Sequence, residues 1–106
     1  MKVAKTEKVD FWMIPQLNNL ELLHATYINQ SFTKHIHDCF AIGVIEQGAL
    51  KFSYRGEKVV APSGYINLVI PGEAHDGSAV SNEGWTYRMF YLNPQLLKLA
   101  AHEITA

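Results

Sequence analysis

The sequence predicts an all-β domain, a small β-barrel or sandwich, with one short helix at its C-terminal end. Three observations lead to this prediction. Short apolar runs recur along the chain, as expected for β-strands. Glycine, proline and asparagine mark turns between these runs. A helix start signal, Asn93 followed by Pro94, comes only after the last run.

The N-terminal part is predicted to be an arm spanning residues 1–19. Residues 1–10 are polar, and we expect them to fray. Residues 11–14 form a dense apolar patch that ends at Pro15. We expect this patch to lie over the core as a hydrophobic cover, and a weakly anchored cover at a barrel mouth could act as a lid.

The predicted barrel, residues 20–92, begins with one or two strands in residues 20–32, which alternate loosely. Residues 40–45 are apolar at every position, which predicts a strand covered on both faces. Residues 49–54 and 58–61 flank a tight-turn signal at residues 55–57 and are predicted to form a hairpin.

The second half of the barrel contains two more predicted strands and the helix. Residues 65–70 form an apolar run, predicted to be another buried strand. Residues 76–84 are polar and are predicted to be a loop, and residues 85–92 are predicted to be the last long strand. Leucine and alanine then recur at helical spacing, which predicts a helix over residues 94–103.

Composition narrows the class of protein. The 106 residues suit one domain, and 48% hydrophobic and 18% charged residues are ordinary for a globular chain. A net charge of −1 gives no basic footprint for nucleic acid, and the single Cys39 fits a reducing compartment. We find no secretory signal pattern and no apolar stretch of about 18 residues, so we expect no membrane span and a cytoplasmic location.

Three histidines form the most distinctive chemical pattern. His35 and His37 are two residues apart, so on a strand both project to the same face. His75 follows the second apolar run and the turn at residues 71–72. If these strand ends meet, the imidazoles could bind a metal, line an effector pocket through hydrogen bonds, or be satisfied by loop backbone.

The last predicted strand places Trp85, Tyr87, Met89 and Tyr91 on one face. An apolar pocket with a few polar tips fits this set, and ordinary core packing is the alternative for the last two. On the other face Arg88 would pair with a surface carboxylate, unless it turns inward and binds an anionic effector.

The order of these residues resembles the two motifs of the cupin superfamily. The matching residues are His35, His37 and Gly48 in the first motif and Gly64, Pro71 and His75 in the second. The family's glutamate position falls on Ala41 or Ile42, which removes the fourth protein ligand of typical metal-binding cupins. Ala41 and Gly43 have the parity of His37, and their small side chains are expected to leave volume inside a barrel.

The chain resembles more closely the N-terminal effector-binding domain of AraC-type transcription regulators, over roughly residues 33–97. The matching segments are residues 35–38, 42–48, 54–56, 71–77 and 84–91, followed by Pro94. The resemblance implies a cupin-like double-stranded β-barrel of the jelly-roll type. Such regulators normally continue into a C-terminal domain with two helix-turn-helix motifs. We expect that domain to be absent here, so that residues 1–106 form a single sensor domain of a truncated regulator.

The resemblance implies a ligand-sensing domain without catalytic activity, cofactor or bound metal. The predicted ligand-binding residues are His35, His37, His75, Trp85, Tyr87 and Met89. The expected partner is a small effector, for which a sugar or small organic acid is suitable. The chain alone is expected to bind neither DNA nor membranes and to form at most a weak homodimer.

The alternative is a small metal-dependent cupin enzyme, an isomerase or dioxygenase, with His35, His37 and His75 as metal ligands. A third possibility is a domain that acts only through protein contacts.

Overall fold

The computed structural model describes residues 6–105, and the predicted all-β class with a terminal helix is confirmed. The strands are β1 Lys8–Ile14, β2 Leu20–Tyr27, β3 Phe32–His35, β4 Phe40–Tyr54, β5 Glu57–Pro62, β6 Ile66–Val69, β7 His75–Ala79 and β8 Trp85–Leu92. A 3-10 turn, Pro15–Leu17, follows β1, and α1 spans Pro94–Thr105. The first five residues of the predicted arm, and Ala106, lie outside the described residues. No helix of the described part is long and apolar enough to cross a membrane.

The strands form two antiparallel sheets that share β4. The first sheet has the order β1-β2-β8-β4-β6, and the second has the order β3-β7-β4-β5. The N-terminal half of β4 pairs with β8 and β6, and its C-terminal half pairs with β5 and β7. A register shift between Ile45 and Gln47 separates the halves, as expected where a bulge bends a strand. The sheets therefore curl around a common interior.

The last strand, one hairpin and the start of the helix are confirmed, and local sequence explains the hairpin turn and the helix cap. The last strand has the predicted bounds, and the β4–β5 hairpin turns through Arg55 and Gly56, whose φ angles are 53° and 78°. Positive φ angles at both central residues of a two-residue loop are typical of the hairpin turn whose twist matches the right-handed twist of the flanking strands. Asn93 caps α1, because its Oδ1 accepts a hydrogen bond from the backbone N–H of Leu96 at 2.9 Å.

The apolar patch of the N-terminal arm is part of a regular strand and does not cover the core. β1 pairs with β2 along its whole length, and Phe11, Trp12 and Met13 are each about half exposed. The reason is position: β1 is the outermost strand of its sheet, so backbone pairing holds it while its side chains have few neighbours.

Two other predictions are wrong in detail. Residues 76–79, predicted as loop, belong to β7, because pairing with β3 and β4 outweighs the low strand propensity of an Asp-Gly-Ser sequence. The predicted buried strand over residues 65–70 is buried on one face only. In β6, Asn67 and Val69 point inward, whereas Ile66 is 73% exposed and Leu68 is 52% exposed.

The closed end of the interior is filled by side chains from both sheets. Ile45 and Trp85 are fully buried there, and Leu50 and Ala61 pack with them. Toward the other end, where β3 ends and β7 begins, the sheets do not fill the space between them. This leaves a cavity between a packed core and the strand ends that carry the histidines.

Candidate ligand-binding site

A cavity of about 210 Å³ lies between the two sheets. All six residues predicted to bind a ligand line it: His35, His37, His75, Trp85, Tyr87 and Met89. The cavity is therefore a candidate site for a compact ligand, such as a single sugar ring.

The three histidines meet at one end of this cavity. His35 closes β3 and lies opposite His75, the first residue of β7, in the strand pairing. His37 comes from the segment between β3 and β4, and its Nε2 lies 3.1 Å from His35 Nε2. One ligand atom from each ring can be chosen so that all three lie within 4.8 Å of one another. The two-residue spacing of His35 and His37 and the pairing of β3 with β7 bring these rings together.

Backbone carbonyl groups orient two of the rings. His35 Nδ1 donates to the carbonyl oxygen of Thr33 at 2.7 Å, and His75 Nδ1 lies 3.4 Å from the carbonyl oxygen of Glu73. A carbonyl oxygen only accepts, so in each ring Nδ1 carries the hydrogen and the Nε2 of the neutral ring is an acceptor. The acceptor Nε2 of His35 faces His37 Nε2, and that of His75 has no partner of this kind assigned to it.

Burial favours the neutral form of two of the three histidines, His37 and His75. Desolvation is the main cause that lowers the pKa of His37, and the neighbouring His35 lowers it further. Desolvation also lowers the pKa of His75, despite the opposing effect of its bond to Glu73. At neutral pH these two imidazoles can accept or donate hydrogen bonds without carrying charge.

As a metal site, the cluster offers three imidazoles and no carboxylate from residues 6–105. Ala41, at the position where the cupin resemblance calls for glutamate, is buried and lines the cavity. Three histidines can still hold a transition metal with an open position. The donor set fits such an ion, but with one protein ligand fewer than typical metal-binding cupins have.

Aromatic rings form another part of the cavity wall. Trp85 and Tyr87 lie edge to face with centroids 5.8 Å apart, and Tyr27 packs on Trp85 at 5.3 Å. Burial raises the pKa of Tyr91 to about 12 and raises that of Tyr87 well above its usual range. Both hydroxyl groups therefore keep their protons at neutral pH and can act as donors.

The expected volume beside Gly43 is not free. A side chain at this position would overlap the Met89 sulfur and the Arg88 carbonyl, so Met89 occupies the space that the glycine leaves. Met89 is 4% exposed and belongs to the core as well as to the cavity wall. Gly43 thus makes room for Met89, while Ala41 remains a small wall residue.

Asn67 and Asp76 also line the cavity, and the sequence analysis missed both. Asn67 is buried on the inward face of β6, and its Oδ1 has no hydrogen-bond partner among the described residues. Asp76 Oδ1 accepts a hydrogen bond from the backbone N–H of Ser53 at 2.6 Å. The sequence did contain one indication of Asn67: it is a single polar residue between two apolar ones in a predicted strand.

Two candidate residues lie outside the cavity. Arg88 faces outward, and its Nε donates to Glu46 Oε2 at 2.9 Å, beside a 2.7 Å contact between Glu46 and His24. The surface role predicted for Arg88 is confirmed, and the inward orientation is wrong. Burial raises the pKa of the partly buried Cys39 thiol, which disfavours the reactive thiolate.

Comparison with known proteins places this geometry in context. Residues 17–106 match the model of a family described as the AraC-like ligand binding domain. The chain is also 28% identical over 78 residues to YbfI of Bacillus subtilis (strain 168), an uncharacterised HTH-type transcriptional regulator. That match covers 74% of this chain and 28% of the regulator, so the chain spans little more than a quarter of that relative's length.

Solved structures share the fold. A Cupin 2 conserved barrel domain protein from Salinispora arenicola superposes with a TM-score of 0.71 at 16% identity, covering 92% of this chain and 84% of that protein. A cupin superfamily protein from Desulfitobacterium hafniense gives a TM-score of 0.68 at 12% identity, covering 87% and 84%. At such identities the likeness shows the fold alone, and it confirms the predicted cupin-like barrel.

Proposed function

The chain belongs to the family of AraC-like ligand binding domains, and on this premise we propose that it is the effector-sensing domain of a transcription regulator. A small molecule binds between the sheets and alters DNA binding by a helix-turn-helix domain of a longer chain. The domain is not itself an enzyme, and it acts in the cytoplasm. The cavity that joins three imidazoles to an aromatic wall is the observation that supports this proposal.

The cavity supplies the two kinds of contact that a small ligand requires. Trp85 and Tyr87 offer ring surface to apolar faces, and the histidine nitrogens and tyrosine hydroxyls offer directed hydrogen bonds. A sugar or another small polar metabolite uses both. The six binding residues are those predicted from the sequence: His35, His37, His75, Trp85, Tyr87 and Met89.

Strand β8 provides a direct connection from the cavity to the C-terminal helix. It carries Trp85, Tyr87 and Met89, and α1 begins two residues after its last residue. Asn93, between them, caps α1 and donates from Nδ2 to the carbonyl oxygen of Asn18 at 2.8 Å. A ligand shifts a conformational equilibrium only when it binds one conformation more tightly than the other. A ligand that prefers one position of β8 would therefore shift the start of α1.

The second candidate occupant of the histidine cluster is a transition metal ion. The observation that favours it is the closeness of the three nitrogens, all within 4.8 Å. The missing carboxylate and the contact between His35 Nε2 and His37 Nε2 oppose it, because a metal bound by either nitrogen would have to replace that contact. We favour the metal-free effector pocket.

A thermal-shift screen of metabolites tests the proposal. A ligand at about a hundred times its dissociation constant stabilises a folded domain by about 2.7 kcal/mol. In a domain of this size that raises the melting temperature by on the order of ten degrees. Tyr87→Phe removes a hydroxyl group, and His75→Gln replaces the imidazole with an amide of different shape; both should reduce the shift strongly.

Matched controls lie outside the cavity. Tyr65→Phe changes a 60% exposed tyrosine, and His102→Gln changes an exposed histidine of α1, so neither should affect the shift. A hit that is insensitive to both cavity variants would contradict the pocket assignment. For DNA, with the chain's net charge of −1, we expect no nanomolar, sequence-dependent binding in a gel-shift assay at physiological salt.

A further inference from the structure

The outer face of the first sheet, β1-β2-β8-β4-β6, is apolar although it faces solvent. In an antiparallel sheet with one covered face, apolar side chains normally point inward and polar side chains point outward. The second sheet follows this rule, since the outward positions of its β4–β5 hairpin include Lys51, Ser53 and Lys58. The first sheet departs from the rule, and a partner that covers its outer face would explain the departure.

Five outward side chains of the first sheet form a continuous apolar row. Strand pairing places each member opposite the next, and directly paired side chains on one face of a sheet interact. Three of the five, Trp12, Phe90 and Leu68, are each about half exposed. Soluble monomers rarely expose large contiguous apolar patches, so this set, the outer row, is a candidate interaction surface. Its members, in order across the sheet, are Trp12, Leu22, Phe90, Ile42 and Leu68.

A polar border runs along one side of the outer row. Two positions along β2 and β8, His24 lies opposite Arg88, and both side chains contact the Glu46 carboxylate, at 2.7 Å and 2.9 Å. An apolar centre beside a polar rim is the usual composition of a protein–protein interface. No member of the outer row lines the cavity between the sheets, so this surface is separate from the ligand site.

The C-terminal helix has an uncovered apolar face of its own. Leu96, Ala100 and Ile104 are spaced by four residues, which places them on one face of α1. Leu99, three residues after Leu96, borders this face. Every residue of the range 98–104 is exposed, and Ile104 is 83% exposed. Within one copy of the chain, most of this apolar face therefore has nothing to cover it.

α1 does not cover the outer row of its own chain. Asn93 fixes the start of the helix through its cap on Leu96 and through a 2.8 Å hydrogen bond to the Asn18 carbonyl oxygen. With the helix in that position, Phe90 at the centre of the outer row stays 47% exposed. Two apolar surfaces of the chain are thus uncovered at the same time, and a second copy can supply what each of them lacks.

The helix and the outer row also match in size. A helix of 12 residues is about 18 Å long and, with its side chains, about 10 Å wide. The spacing of five paired strands puts the two ends of the outer row about 19 Å apart. We propose that the outer row is the docking surface for α1 of a second copy of this chain. A two-fold axis makes the contact reciprocal, so that each copy covers the row of the other with its helix.

Sedimentation across a concentration series tests both sides of this contact. The row variant is Leu68→Gln/Phe90→Gln, and the helix variant is Leu99→Gln/Ile104→Gln. Each removes half-exposed or exposed apolar side chains from one partner surface. We expect each variant to weaken self-association at least about tenfold, because both surfaces take part in every contact.

A matched control removes apolar side chains elsewhere on the surface. Val60 is 55% exposed and Val80 is 47% exposed, so Val60→Gln/Val80→Gln changes a similar apolar area and should leave self-association unchanged. Thermal unfolding checks the fold of every variant. If Phe90→Gln lowers the melting temperature, Ile66→Gln/Leu68→Gln at the two exposed positions of β6 serves as the row variant instead.

Mixing the two variants distinguishes helix-to-row contact from the other arrangements. The row variant keeps an intact helix, and the helix variant keeps an intact row, so a mixed dimer retains one of the two contacts. We expect fluorescently labelled row variant to sediment as a dimer when excess helix variant is added, at a concentration where each variant alone is monomeric.

A mixture that stays monomeric although the unaltered chain associates would overturn the proposal. Contact between two helices, contact between two rows, and closure of α1 over its own row all predict that result. An unaltered chain that is monomeric up to about 1 mM would overturn the proposal as well. Neither result would affect the ligand-sensing function, which is tested by thermal shift on the cavity variants.

Discussion

His37 donates a hydrogen bond to His35 through two Nε2 atoms that lie 3.1 Å apart. The direction of this hydrogen bond follows from the other nitrogen of the His35 ring, Nδ1, which donates to the Thr33 carbonyl oxygen. The neutral His35 ring can then only accept at Nε2, so His37 must supply the hydrogen. In this arrangement His37 holds its hydrogen on Nε2, and its Nδ1 is the nitrogen that can accept.

The first prediction is that the domain loses stability on acidification from about pH 7.5 to about pH 5. The folded-state pKa values of His37 and His75 are lowered from 6.5, mainly by burial, although Asp38 and Asp76 act in the opposite direction. The unfolded chain then binds more protons in this range, so stability is fully present above about pH 6.5 and falls as the pH drops through the folded-state values. We expect the melting temperature to fall by a few degrees.

The double variant His37→Gln/His75→Gln should flatten this part of the profile, and His102→Gln on the exposed helix should not. Carboxylates such as Glu46 and Glu73, whose pKa values are lowered by Arg88 and Arg55, contribute only below about pH 4.5. An unchanged slope in the double variant would show that other groups cause the acid sensitivity.

The second prediction is that protein purified without chelator carries no stoichiometric transition metal. Ala41 or Ile42 stands where metal-binding cupins keep a glutamate, and the His35–His37 contact already uses nitrogens that a metal would need. Elemental analysis of the purified protein measures this directly. About one equivalent of metal, lost on His37→Ala or His75→Ala, would instead support the metal-site alternative.

The third prediction concerns Gly84, where backbone conformation and close packing coincide. Its φ is 76°, and a methyl group there would overlap the carbonyl oxygen of Tyr27. Gly84→Ala should therefore lower the free energy of unfolding by about 2–5 kcal/mol, the sum of left-handed strain and overpacking. Gly56 is the matched control, with φ of 78° and open space around it, so Gly56→Ala should cost only about 1 kcal/mol.

Urea unfolding monitored by tryptophan fluorescence would measure both glycine variants, since Trp85 is buried in the core. Equal losses in the two variants would mean that the contact with Tyr27 relaxes at no cost.

The fourth prediction is weak self-association through α1. Leu99 is 48% exposed and Ile104 is 83% exposed, so apolar surface of the helix is available to a second copy. The small area favours a dissociation constant on the order of micromolar or weaker. Sedimentation across a concentration series should show this, and Leu99→Gln/Ile104→Gln should shift the protein toward monomer, while Gln95→Ala should not. A nanomolar dimer that persists in the double variant would assign the interface to the barrel.

The sequence predicted those parts of the site that depend on local geometry. Strand alternation was sufficient to place Trp85, Tyr87 and Met89 on one face, and the two-residue spacing was sufficient to place His37 beside His35. These relationships hold even where other elements are predicted wrongly, because each depends on a few consecutive residues.

The parts that were missed depend on distant pairing. The polar sequence of β7 becomes a strand only because β3 and β4 lie on either side of it. Asn67 becomes a cavity residue because β6 pairs with the first half of β4 and leaves Ile66 and Leu68 outside. The strand propensity of a segment does not indicate which strand will pair with it, so these positions required the three-dimensional structure.

The shared strand β4 determines how the chain must fold. It pairs with β5, β6, β7 and β8, and only the β5 pairing joins neighbouring segments. The two sheets therefore cannot form independently, and the chain has to close long loops before either is complete, which is characteristic of domains that fold in milliseconds to seconds. A break in the chain within β4 would prevent assembly, whereas new chain ends at the Arg55-Gly56 turn would leave every strand intact.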